Sequence, residues 1–177
     1  PSKPRWQVIP LERCIASQQL GPDREAQAFD KAALRGSTAS SSVYLLFEGF
    51  GNVNFSHAHN AIMAIERFNA RDRIWLVSNG YGKTVSEKNA LIAYRTRQIG
   101  PVGHNMLVLN NGTVTPPMYA LLEKAGRLKL SARVEDYAGC TWRRSVQFDP
   151  KGHLRVTDEI AGLRANVPAW VEWQVLG

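Results

Sequence analysis

Three of the four histidines stand where imidazole chemistry could be concentrated. Asn54-Phe55-Ser56-His57-Ala58-His59-Asn60 carries two of them, and Gly103-His104-Asn105 carries the third. Side chains alternate between faces along a strand, so His57 and His59 point the same way if this segment is extended. Imidazole suits proton transfer near neutral pH and is the commonest metal ligand. One strand could therefore present a base beside a metal site. The competing reading makes both histidines ordinary hydrogen-bonded residues, and spacing alone favours that reading.

A site of this kind needs a rigid frame, and the residue patterning predicts one made of strands. Val43-Tyr44-Leu45-Leu46-Phe47 is rich in aromatic and aliphatic residues and closes on Gly49, a strand pattern. The segment 30–36, with Ala33-Leu34-Arg35, pairs with it across a serine-rich turn ending at Ser42. Residues 1–22 carry Pro1, Pro4, Pro10 and Pro22 and read as an extended lead-in, followed by a short turn or helix over 23–29. Ala61 to Phe68 has helical propensity, but the turn composition Asn69-Ala70-Arg71-Asp72 and the strand Arg73-Ile74-Trp75-Leu76-Val77 favour a hairpin. A short helix is expected over 86–94, opened by Ser86. Strands follow at Met106 to Leu109, Arg127 to Tyr137, Trp142 to Phe148 and Leu154 to Ile160. In the second of these, Leu128, Leu130, Ala132 and Val134 share one face. Turns fall at Asn110-Asn111-Gly112 and Asp149-Pro150-Lys151-Gly152. The fold class expected is all-β, an antiparallel β-sandwich with few short helices, organised as a lead-in over 1–30 and one sandwich domain over 31–177.

Composition bounds the rest. The chain has 177 residues, 44% of them hydrophobic and 21% charged, which excludes a disordered tail and allows one domain with a substantial core. No run approaches the apolar length that spans a bilayer, so no membrane span is expected. The chain opens on Pro1 without a leader pattern and ends on a strand-like Trp170 to Gly177, as a domain excised from a longer protein would. A net charge of +7 favours polyanions: nucleic acid, acidic polysaccharide or an anionic membrane. There is no zinc-finger spacing, no aromatic-plus-basic RNA-binding run and no dense Lys/Arg block, so no nucleic-acid partner is expected; simple solubility accounts for the charge equally well. Cys14 and Cys140 are the only cysteines, and both a disulfide and two free thiols remain open. The glycosylation triplets at Asn54 and Asn111 carry little weight, because such triplets are common by chance.

Taken in order, these segments resemble the β-sheet part of the heparinase II/III-like family of polysaccharide lyases. Ala33-Leu34-Arg35 and Val43 to Gly49 look like its opening strands, and His57-Ala58-His59 looks like its His-x-His signature. Arg73 to Gly82 looks like the strand and Gly-Tyr loop that follow. Tyr94 to Arg97 with Gly103 to Val108 looks like its His-Asn element, and Trp142 to Asp158 like its later hairpin. His-x-His alone is common; the ordered set of five, from about residue 31 to the end, is much more specific.

The resemblance implies a β-supersandwich that packs against an upstream α/α-toroid of the same chain, with substrate in the cleft between them. It implies β-elimination on uronate-containing acidic polysaccharide, in a periplasmic or secreted protein. A base takes the proton beside the uronate carboxylate and the glycosidic bond leaves from the adjacent carbon. By position, His57 is the expected catalytic histidine, His59 and His104 are the expected ligands of a structural zinc, and Tyr81, Arg97 and Arg143 are the expected substrate-binding residues. Such chemistry needs a base of tuned pKa and positive charge near the developing enolate. Two departures weigh against an intact site. Ser78-Asn79 stands where the family commonly places an Asp ligand, and Asn60-Ala61-Ile62 replaces an acidic residue shortly after His-x-His. A two-histidine site without a carboxylate binds zinc more weakly unless another group completes it. The isolated domain is expected to be inactive. The alternative is a non-catalytic β-sandwich module for domain support or glycan binding, with a degraded metal site. Trp75, Trp142, Trp170 and Trp173 read as core or domain-interface residues.

Overall fold

The computed structural model describes residues 2–11, 24, 26–38, 41–51, 61–78, 100–149 and 151–176. Five strands form one antiparallel sheet in sequence order: β1 (Arg5–Pro10), β2 (Phe29–Ser37), β3 (Ser42–Glu48), β4 (Ile65–Ala70) and β5 (Arg73–Val77). The proline-rich lead-in thus contributes an edge strand, paired with β2 from Arg5 opposite Arg35 onward. Edge strands tolerate the prolines at 4 and 10, which cannot donate to a ladder. In β3 the alternation of Val43, Leu45 and Phe47, all buried, sets the inward face of this sheet.

The preferred hairpin over 65–77 is present. Its two-residue turn, Arg71-Asp72, has φ of 54° and 57°. Those left-handed values give the turn the twist that two adjoining antiparallel strands need, although neither residue is a glycine. Trp75 Nε1 donates to the Ala70 carbonyl at 2.9 Å and fastens the turn. Gly49, directly after β3, is obligatory for a packing reason: a Cβ there would lie 2.4 Å from the Phe29 ring and carbonyl oxygen.

The second sheet has four strands: β7 (Leu121–Ala125), β8 (Lys129–Tyr137), β9 (Cys140–Asp149) and β10 (His153–Ala161), in the order β10-β9-β8-β7. A short strand β6 (Leu107–Leu109) pairs with β11 (Ala169–Val171) as a two-stranded unit. β7 was not expected from the sequence; Leu121-Leu122-Glu123-Lys124-Ala125 has a helix-like composition, and it is a strand because β8 pairs with it. Leu130, Ala132 and Val134 are buried together, as their alternation predicts. One core lies between the sheets: Phe68 of β4 meets Phe148 of β9 edge to face, with ring centroids 6.4 Å apart. Two antiparallel sheets closing on one core make the all-β sandwich expected. The turn or helix expected over 23–29 is a turn at 26–27, and the helix expected over 86–94 lies outside the described residues.

Of the four tryptophans read as core or interface, only Trp142 is fully buried. Trp75, Trp170 and Trp173 keep 37–39% of their surface exposed. Cys140 is a buried free thiol whose Sγ donates to the Tyr137 carbonyl, and Cys14 lies outside the described residues. Among the described residues no helix is long and apolar enough to cross a membrane.

Candidate functional site around His104

His104 leaves a single 3-10 turn, Pro101–Gly103, and the chain enters β6 three residues later. Its side chain is fully buried. The Ser78 hydroxyl, at the end of β5, is hydrogen-bonded to His104 Nδ1. The Glu66 carboxylate, from β4, brings Oε1 to 3.8 Å from the same nitrogen. The Ser78 amide donates to the Glu66 carbonyl at 2.8 Å, which sets the two side chains next to each other. Three separate segments therefore converge on one buried imidazole.

Glu66 is the residue that sequence reasoning missed. Its side chain is 23% exposed, and its Oε1 is buried without a hydrogen-bond partner among the described residues. Burial, with the neighbouring Glu48 carboxylate as the next cause, pushes its pKa up to about 7; the Ser78 hydroxyl opposes the shift by hydrogen bonding to the charged form, and Lys31 opposes it from farther away. Glu48 is itself buried and raised by the same desolvation, although Lys31 Nζ holds it at 3.1 Å. Strand parity did not mark Glu66: the β3–β4 pairing slips there, with Arg67 opposite Leu46 and Ile65 opposite Phe47, so Glu66 is the extra residue of a bulge.

A buried arginine positions this cluster. Arg144 sits on the inward face of β9 with Trp142, Val146 and Phe148. Its guanidinium donates to both carboxylate oxygens of Asp158, at 2.7 and 3.0 Å. Nη1 donates to the Met63 carbonyl at 2.9 Å and to the Asn105 carbonyl at 2.7 Å. Met63 has φ of 54°, in the left-handed region that a methionine rarely adopts, and the Arg144 bond helps hold it there. The Trp142 ring lies under the guanidinium at 4.8 Å and the Trp173 ring at 5.5 Å. Asn105 adds a further tie, its amide donating to the Ile65 carbonyl at 2.8 Å and its oxygen accepting from the Gln174 amide. The residue after His104 and the residues just before β4 are thus fixed to a common point.

The expected site residues divide as follows. His104 and the Ser78 position are brought together. Arg143 lies on the outward face of β9, opposite in parity to Arg144, with its guanidinium engaged by Glu123 at 2.7 Å and by Glu159 at 3.4 Å. His57, His59, Tyr81 and Arg97 lie outside the described residues. Among the described residues no group of three or more His, Cys, Asp or Glu side chains gathers at one point.

The two antiparallel sheets closing on one core have a heparinase-like fold, as superposition on solved structures shows. Two structures of a heparinase III gene product, one with methylated lysines, superpose on 75% of the chain with a TM-score of 0.61, at 17% and 16% identity. A further crystal structure of heparinase III superposes on 73% with a TM-score of 0.58 at 16% identity. The chain spans 21% of the length of each of those proteins. No family profile and no curated protein sequence matches it.

Proposed function

We propose that this chain is the β-sheet domain of a polysaccharide lyase acting by β-elimination on a uronate-containing acidic polysaccharide, in a periplasmic or secreted protein. The observation that carries the reading is the convergence of Ser78 and Glu66 on His104, at the position where the resemblance puts a metal, within a fold of the heparinase type. His57 is the catalytic histidine in this reading. Tyr81 and Arg97 contact the sugar. Arg143 joins them only if substrate carboxylate or sulfate displaces Glu123 and Glu159 from its guanidinium. The remaining half of the cleft belongs to an upstream α/α-toroid.

The residues fit a structural zinc. A buried carboxylate oxygen without a hydrogen-bond partner among the described residues lies 3.8 Å from a buried imidazole nitrogen, and zinc takes such oxygen and nitrogen donors. His59 and His104 hold it in this reading, and Glu66 supplies the carboxylate that Ser78 does not. The ion when bound contributes fixed positive charge and a rigid tie between strands. His57 takes the proton from the carbon beside the uronate carboxylate.

The test is His57→Ala in the full-length protein. The variant is expected to keep the wild-type circular dichroism spectrum and to release no unsaturated uronate product, measured by its ultraviolet absorbance. Turnover at the wild-type rate would refute the role of His57. A second reading, a non-catalytic glycan-binding or supporting module, draws on the Ser78 substitution; wild-type protein without product on any uronate glycan, yet binding one, would favour it.

A further inference from the structure

The outward face of the four-stranded sheet carries two kinds of arginine and lysine. In one cross-strand row, Glu159, Arg143 and Arg133 stand side by side on β10, β9 and β8. Their charges are matched: Arg143 by Glu123 and Glu159, and Arg133 by Glu123 and Glu135. Nearer the sheet end, the row Arg155, Gln147, Lys129 crosses the same three strands. All three side chains are exposed. Arg127, also exposed, follows in the turn between β7 and β8. None of Arg127, Lys129 and Arg155 forms an ion pair with a described residue.

These three cations line one open hollow of about 840 Å³, with Gln147, His153 and Asp149. Asp149 does not neutralise them. It accepts from the Lys151 amide at 2.8 Å and faces His153 Nδ1 at 3.4 Å, both within its own turn. Strand spacing puts the Arg155 and Lys129 positions about 10 Å apart, with the Gln147 amide between them. That span matches a disaccharide. The hollow holds no exposed aromatic ring on which a base could stack, because Phe148 is 1% exposed.

We infer that the Arg127–Lys129–Arg155 hollow is a second binding site, for a sulfated or carboxylated polysaccharide. Its cations face the polymer's anionic groups, and Gln147 hydrogen-bonds the hydroxyls between them. The site lies on the outward side of its sheet, whereas Arg144 of the same sheet points inward to the residue after His104. It does not depend on the lyase reading: it would hold a polymer whether or not His57 acts on it.

The experiment measures binding of the intact chain to dextran sulfate, which is anionic but has no uronate, by isothermal titration over a salt series. Three proteins are compared: wild type, the groove variant Arg127→Ser/Lys129→Ser/Arg155→Ser, and a control, Arg5→Ser/Arg73→Ser/Arg164→Ser, which removes the same charge from exposed positions elsewhere. The groove variant is expected to bind at least ~10-fold more weakly, with a shallower salt dependence, as fewer counterions are released. The control is expected to stay within about twofold of wild type. Equal losses in groove and control variants would overturn the site, leaving only overall charge. Single-stranded DNA bound as tightly as dextran sulfate and weakened by the same groove variant would overturn the polysaccharide assignment in favour of nucleic acid. Because dextran sulfate cannot undergo β-elimination, failure here and failure of the His57 test are separable.

Discussion

Glu66 Oε1 lies 3.8 Å from His104 Nδ1, with the Ser78 hydroxyl bonded to the same imidazole. A carboxylate thus stands beside position 78 from the neighbouring strand, since β4 and β5 run side by side and their ends meet at Ser78. A short side chain at 78 leaves room for a longer one from 66.

This relationship predicts metal content. Zinc-loaded chain is expected to retain about one ion per chain by elemental analysis. Glu66→Gln and His104→Ala should each weaken zinc by at least ~10-fold in competition with a chromophoric chelator. Ser78→Asp should not be needed for binding. Wild-type affinity in Glu66→Gln would remove Glu66 from the ligand set.

Metal-free protein should also carry a pH signature. Glu66 titrates at about 7 instead of 4.5, so the folded state binds a proton more tightly than the unfolded chain does. Its contribution to stability is fully present below pH 4.5 and is lost as pH rises through about 7. The loss is of the order of 3 kcal/mol at most, since one pKa unit is worth ~1.4 kcal/mol and partial exposure relieves some of it. In urea denaturation with chelator present, wild type minus Glu66→Gln should show this slope between pH 4.5 and 7.5. A flat difference would contradict the burial of Glu66.

Arg144 is expected to be a structural hub. Arg144→Ala leaves the Asp158 carboxylate with the Trp142 Nε1 bond but no counter-charge and takes a donor from the Met63 and Asn105 carbonyls, and should cost about 3–5 kcal/mol in chemical denaturation. Arg144→Lys should rescue little, because one ammonium cannot serve that fork of partners. The adjacent Arg143→Ala, on the exposed face, should cost far less. Comparable losses at the two positions would mean that the inward fork of Arg144 is not what ties β9 to the His104 segment.

Much of the frame was legible in the residues. The 65–77 hairpin declared itself through turn composition, and β8 through the alternation of Leu130, Ala132 and Val134. Misreadings came where tertiary pairing outweighs local preference. β7 has helix-forming residues and was not expected as a strand, yet it pairs with β8.

The sequence by itself determined the all-β class and most strand positions, because alternation and turn chemistry are local properties of the chain; His104 and position 78 were drawn together only by the family resemblance. Only the tertiary structure decided that Glu66 completes that cluster, that Arg144 points inward while Arg143 points out, and that Arg127, Lys129 and Arg155 share one hollow. Strand parity says which residues share a face. Which strands lie side by side, and in what register, depends on how two sheets bury a common core, and that is a property of the whole fold.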